Sequence, residues 1–276
     1  MRFLAPPTKH HPDLSTSEHL VGPSRIRTLV YAPKKPTSHP LPAILWIHGG
    51  GYILGKPETS AAAAIRFATE VGALVALPTY RLAPEHPAPA ALDDCFAVLQ
   101  WLASGADGLV DPNRIAVGGE SAGGGLAAAV AQRAFDEGTK LRSQQLVYPM
   151  LDDRTNLPGA VLPTHPGMWT LESNKYAWKS YLGPHADSPE GAPKYAVPGR
   201  RENLAGLAET WIGVGTQDLF HAEDIEYSRR LRSAGVRCEV VEVPGAPHGF
   251  DMLCSDAPVS IEFARHQVEF YKRSLA

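Results

Sequence analysis

A chain of 276 residues is long enough for one large α/β domain or two small ones. Its 44% hydrophobic and 20% charged residues are those of an ordinary soluble globule, and a net charge of −3 argues against electrostatic capture of nucleic acid or an anionic membrane. No apolar run approaches the roughly 20 residues needed to cross a bilayer.

The opening MRFLAPPTKHHPD lacks the apolar core of a signal peptide. Cys95, Cys238 and Cys254 form no C-x-x-C and cannot all pair, so they are expected as reduced thiols in or near the core of a cytoplasmic protein. Residues 1–24 show prolines, histidines and little periodicity, which predicts a loosely attached segment; without a fixed scaffold, His10, His11 and His19 are expected to face solvent and not to hold a metal.

From residue 25 the chain acquires a rhythm. Residues 25–31 alternate as a strand, and 43–47 (AILWI) form a continuous apolar run suited to a strand buried on both faces. That run leads into His48-Gly49-Gly50-Gly51-Tyr52. A helix is expected over 60–71, a buried strand over 73–77, a proline-rich loop over 80–87 and a long helix over 89–103. Residues 114–117 form the next strand and run into Gly119-Glu120-Ser121-Ala122-Gly123, after which an alanine-rich stretch predicts a helix to about 136. Strand, G-x-S-x-G and helix together are what a nucleophile elbow requires, since small neighbours let the turn lift the serine hydroxyl above a sheet.

Beyond a short strand at 144–148 the rhythm breaks. Residues 151–203 hold seven prolines, a helix near 172–182 and several aromatics, among them Trp169 and Trp178. Such a stretch inside a compact domain suggests a lid, with Trp169 and Trp178 as pocket walls or as packing of the lid itself. Strands at 210–214 and 238–243 then alternate with helices at 222–234 and 259–275. The order is that of a mainly parallel sheet with helices on both faces.

In an open α/β sheet the reactive groups gather at the carboxyl ends of the strands. Asp218 follows the strand at 210–214 and His248 the strand at 238–243, so acid and base join Ser121 in the chain order Ser, Asp, His. Asp224 and Asp251 compete for the role of acid, but each is expected to be a surface carboxylate. The glycines at 49–51 free the backbone to aim amides at a developing oxyanion; Gly50 and Gly51 are the expected donors, with the amide of Ala122 as a third. His48 is assigned to the hydrogen bonding of its own loop.

Together, HGGGY at 48–52, YRLAPEHPAPAALDD at 80–94, DPNRIAVGGESAGGGLA at 111–127, YPMLD at 148–152 and the stretch from Asp218 to PGAPHGF resemble the hormone-sensitive-lipase family of bacterial esterases. The likeness covers most of the chain from residue 25. It implies an α/β-hydrolase core (25–150 and 204–276) with a small helical cap (151–203), short-to-medium acyl esters as small-molecule substrates, no cofactor and no metal. It also implies homodimerisation through a sheet edge. By position, Ser121, Asp218 and His248 match the family's triad, and Gly50, Gly51 and Ala122 its oxyanion hole. Glu120 matches the acidic residue before the serine, expected to fix the elbow. Residues 1–24 depart from the family's longer, helical N-terminus, which leaves the cap to 151–203 in the main. An amide, carbamate or lactone hydrolase, or a non-catalytic small-molecule receptor, would use the same scaffold.

Overall fold

Eight strands form one sheet in the order β1-β2-β4-β3-β5-β6-β7-β8. In chain order they are β1 Leu14–Val21, β2 Ile26–Pro33, β3 Leu41–Ile47, β4 Leu74–Pro78, β5 Val110–Glu120, β6 Ser143–Val147, β7 Glu209–Gln217 and β8 Cys238–Pro247. The computed structural model describes residues 7–156, 163–164, 167–186 and 191–276. From β4 to β8 every neighbouring pair is parallel, whereas β1 and β2 add an antiparallel edge.

The helices are α1 Ala61–Glu70, α2 Ala90–Ala103, α3 Ala122–Asp136, α4 Leu171–Leu182, α5 His221–Ser233, the short α6 Phe250–Leu253 and α7 Pro258–Ser274. They cover both faces of the sheet. The alternation along β3 shows how: Leu45 and Ile47 pack into the layer of α2, α3 and α5, while Ile44 and Trp46 pack into the layer of α1 and α7. A strand buried on both faces has no polar side, which is why 43–47 is apolar throughout.

Of the segment expected to be loose, residues 1–6 lie outside the described residues, and Leu14–Val21 form a strand of the sheet. β1 pairs with β2 residue for residue from Leu14↔Pro33 to Val21↔Ile26, and further tethers run from the Tyr31 hydroxyl to the Lys9 carbonyl (2.8 Å) and from Lys34 Nζ to the Pro12 carbonyl (2.7 Å). Only Leu14 and Val21 of β1 are buried, so the strand carries almost no apolar signal, and its place comes from backbone pairing with β2. It therefore edges the sheet on the β2 side and adds nothing helical over the site.

Residues 157–162, 165–166 and 187–190 of the expected cap lie outside the described residues. Within it, α4 starts on a Thr170 cap, whose hydroxyl accepts from the Ser173 amide at 3.2 Å. It buries Trp178 and Tyr181 against Tyr52, with Tyr181 stacked on Tyr52 at a ring separation of 4.0 Å. Among the described residues, no helix is long and apolar enough to cross a membrane.

Candidate active site

Ser121 sits between β5 and α3 with φ +58° and ψ −123°, a conformation that puts its side chain out of the line of the strand. The flanking glycines are required by close approach. A Cβ on Gly123 would drive into the Ile47 and His48 carbonyls, and one on Gly119 into those of Ile47 and Gly123. Backbone cannot yield as a side chain can, so Gly123→Ala is expected to destabilise the fold by about 3 kcal/mol or more. Urea denaturation measures this, and a loss below about 1 kcal/mol would mean that the elbow is less tightly packed than these approaches imply.

Three distant loops meet at this serine. His248 Nε2 lies 2.9 Å from Ser121 Oγ, and His248 Nδ1 lies 2.7 Å from Asp218 Oδ2. The second carboxylate oxygen of Asp218 accepts from the Phe220 amide at 2.9 Å, which locks the carboxylate plane. All three residues are buried. The rings of Tyr148 and Phe220 pack at steep angles to the imidazole, at centroid distances of 4.7 and 5.2 Å, and hold it in place. An imidazole that donates to a carboxylate on one nitrogen can accept a hydroxyl proton on the other, the arrangement that turns a serine into a nucleophile.

Gly50 (φ +118°) and Gly51 (φ +58°) follow β3 and line the cavity beside Ser121. Ala122, fully buried, opens α3 directly behind the serine. Among the described residues, no backbone carbonyl accepts from the amides of Gly50, Gly51 or Ala122, so all three donors are free for an incoming oxygen. The cavity holds about 550 Å³ and is bounded by these loops, by Trp169 and by Met168 and Met252. That is room for a small ligand.

The two tryptophans separate. Trp169 stands over the glycine loop after β3, its ring filling the space that a Cβ on Gly51 would need, and its Nε1 donates to Asn174 Oδ1 at 3.1 Å. Trp178 corrects the expectation of a second pocket wall. It faces inward from α4 and packs on Tyr52 and Tyr181, away from the cavity.

A family model described as the alpha/beta hydrolase fold matches residues 44–252. The chain belongs to this family, in its hormone-sensitive-lipase-like branch. It is 34% identical to esterase LipI of Mycobacterium tuberculosis over 91% of this chain and 80% of LipI. It is 32% identical to carboxylesterase NlhH of the same species, over 100% of this chain and 88% of NlhH. Among solved structures, a bacterial heroin esterase superposes with a TM-score of 0.88 at 36% identity, covering 95% of this chain and 84% of the other.

In this hydrolase the residue before the serine is part of a buried network. Glu120 accepts from Trp46 Nε1 at 2.7 Å, from the Ser60 hydroxyl and from the Gly49 amide, so it ties the elbow to β3, to α1 and to the glycine loop after β3. Burial pushes its carboxyl up to about 7, although those hydrogen bonds pull it down. His48 is also buried; its Nδ1 donates to the Gly49 carbonyl at 2.8 Å and its ring stacks on Tyr80 at 4.2 Å. Burial holds this imidazole down to about 4, against the pull of that carbonyl.

The two shifts act on stability in opposite directions. Glu120 binds its proton more tightly when folded, so its contribution falls as pH rises from about 4.5 to about 7. His48 binds its proton less tightly when folded, so its contribution rises with pH from about 4 to about 6.5. Glu120→Gln removes the first and leaves the second. His48 titrates alike in both proteins and cancels, so the stability of this variant relative to the parent should climb between about pH 4.5 and 7, by up to about 1.4 kcal/mol per pH unit. Urea titrations across that range test it; a difference independent of pH would place Glu120 as ionised in the fold as out of it.

Three sequence expectations need correction. Asp224 is fully buried, with both carboxylate oxygens unpartnered among the described residues, and burial pushes its carboxyl well up. It belongs to the inward stripe Asp224, Tyr227, Ser228 and Leu231 of α5, a helical period that the surrounding charges obscure. Asp251 is half-buried beneath the site, where it accepts from the Tyr148 hydroxyl at 2.8 Å and so holds the ring that packs on His248. Cys95 is buried, but Cys254 is exposed just past α6.

Proposed function

We propose that this hydrolase cleaves carboxylic esters of short-to-medium acyl chains through an acyl-serine intermediate. Ser121 attacks the ester carbonyl as His248 takes its proton, and Asp218 stabilises the resulting imidazolium. The amides of Gly50, Gly51 and Ala122 hold the oxyanion. His248 then protonates the leaving alcohol, and in the second half it activates the water that releases the acid. The observation that carries this reading is the imidazole bridging serine and carboxylate at 2.9 and 2.7 Å. The names of the matched relatives, esterase and carboxylesterase, support the ester bond as the target. Residues 151–203 serve as the cap in this reading, with Trp169 as the wall above the oxyanion loop. The three unpaired cysteines support a reducing, cytoplasmic setting. The open edge of β8 is the surface through which a homodimer would form.

A fluorophosphonate probe tests the chemistry directly. One adduct is expected, on Ser121, with loss of ester turnover in proportion to labelling. An unlabelled protein would favour a receptor that uses the same cavity without turnover.

A further inference from the structure

The strand order lays the cavity out as two arms on either side of Ser121, which follows β5. Loops after β3 and β4 bound one arm; the loops after β6 and β8 bound the other. Ester cleavage requires the leaving oxygen to come within reach of His248 Nε2, because that nitrogen must protonate it. His248 follows β8, so the alcohol portion of a substrate extends over the β6–β8 side, and the acyl portion falls to the β3–β4 side.

The two arms differ in chemistry. The acyl side is lined by Leu54 and Leu82 together with the polar Lys56, Thr59 and Thr79 and by Tyr80, whose hydroxyl is taken up by the His48 carbonyl at 3.0 Å. The alcohol side is walled by Tyr148, Met168, Gly249 and Met252, and among its described lining residues only His248 can carry charge. Two of the four methionines of the chain stand here. Met168 is placed by backbone: Gly167 forms a bridge with His248, and the Met168 methyl covers Gly249. Met252 projects from α6, one turn beyond the histidine. They are 49% and 54% exposed, so each keeps rotamer freedom and apolar surface that a ligand could cover.

We propose that Met168 and Met252 form an adaptable thioether wall that makes this hydrolase select esters of large apolar alcohols, while its acyl arm admits short chains. The inference rests on the ester-hydrolysis reading above and adds the side of the ester on which size is recognised.

The test compares ethyl acetate with 2-(1-naphthyl)ethyl acetate. Both release primary alcohols of similar acidity, so leaving-group reactivity is matched and only the bulk differs. The parent should prefer the naphthylethyl ester by about tenfold or more in kcat/KM. In Met168→Ala/Met252→Ala that preference should fall about tenfold, and Met168→Leu/Met252→Leu should restore it to within about threefold of the parent. The ratio of ethyl butyrate to ethyl acetate, which reads the acyl arm, should move less than about twofold in either variant. A parent that turns over both acetates without preference overturns the proposal, and so does a double alanine variant in which the butyrate ratio moves instead. A parent that turns over no ester overturns the ester-hydrolysis reading itself. Circular dichroism of each variant separates a lost wall from a lost fold.

Discussion

Ser121→Ala is expected to lower kcat for ester hydrolysis by about 10⁶-fold, with the fold unchanged. The side-chain oxygen of Ser121 is the atom aligned on His248 Nε2, and removing it takes away both the bond-forming group and the proton that the imidazole accepts. Nothing structural depends on that hydroxyl: Ser121 joins the elbow through its backbone, its amide donating to the Val147 carbonyl at 2.9 Å and its carbonyl accepting from Gly125 and Met150 at 3.0 Å. Alanine at φ +58° carries the same backbone cost as serine, so thermal stability should change little. Substrate should still bind, because the cavity walls and the three free amides remain. The free amides and the binding cavity alone sustain a residual 10³–10⁴-fold rate over water in comparable enzymes, so turnover should drop to that floor and not to zero. A variant that kept more than about 1% of parental kcat would show that Ser121 is not the nucleophile.

The parts of this molecule that could be read from the sequence are those where one physical demand fixes residue type. β3 must be apolar on both faces, so it is apolar in sequence; the elbow at 119–123 must be small, and it is. His248 and Asp218 stand out because each follows a strand, and the end of a strand is where a parallel sheet gathers its reactive groups. Legibility fails where tertiary packing decides between equal chemistries. Trp169 and Trp178 are the same residue nine positions apart, and only the way α4 lies on Tyr52 sends one to the cavity and the other to the core. Asp224 sits among Glu223, Glu226 and two arginines, so its charge suggests solvent while its helical position faces the core. β1 fails for a third reason. An edge strand gains its place through main-chain hydrogen bonds, which carry no side-chain signature.

Asp218→Asn is expected to lower kcat by roughly 10⁴-fold while leaving the fold intact, because the local hydrogen bonds dictate which way the new amide must face. In the parent, one carboxylate oxygen accepts from the Phe220 amide at 2.9 Å and the other from His248 Nδ1 at 2.7 Å. Asparagine has a single acceptor. If its oxygen keeps the Phe220 amide, its NH₂ faces Nδ1, and that nitrogen must become an acceptor with the ring proton moved to Nε2. The imidazole then donates toward Ser121 Oγ and can no longer take the hydroxyl proton. If the amide flips, its NH₂ opposes the Phe220 amide, donor against donor in a buried site, and that pairing costs the hydrogen bond outright. The first orientation is thus the stable one, and it is the inactive tautomer. Steady-state kinetics beside a denaturation curve separate this from simple unfolding: kcat should collapse while the denaturation midpoint stays near that of the parent. A loss of less than about tenfold would mean that another carboxylate orients the imidazole. Asp251 already holds Tyr148 against that ring, so Asp218→Asn/Asp251→Asn would then be the variant in which activity disappears.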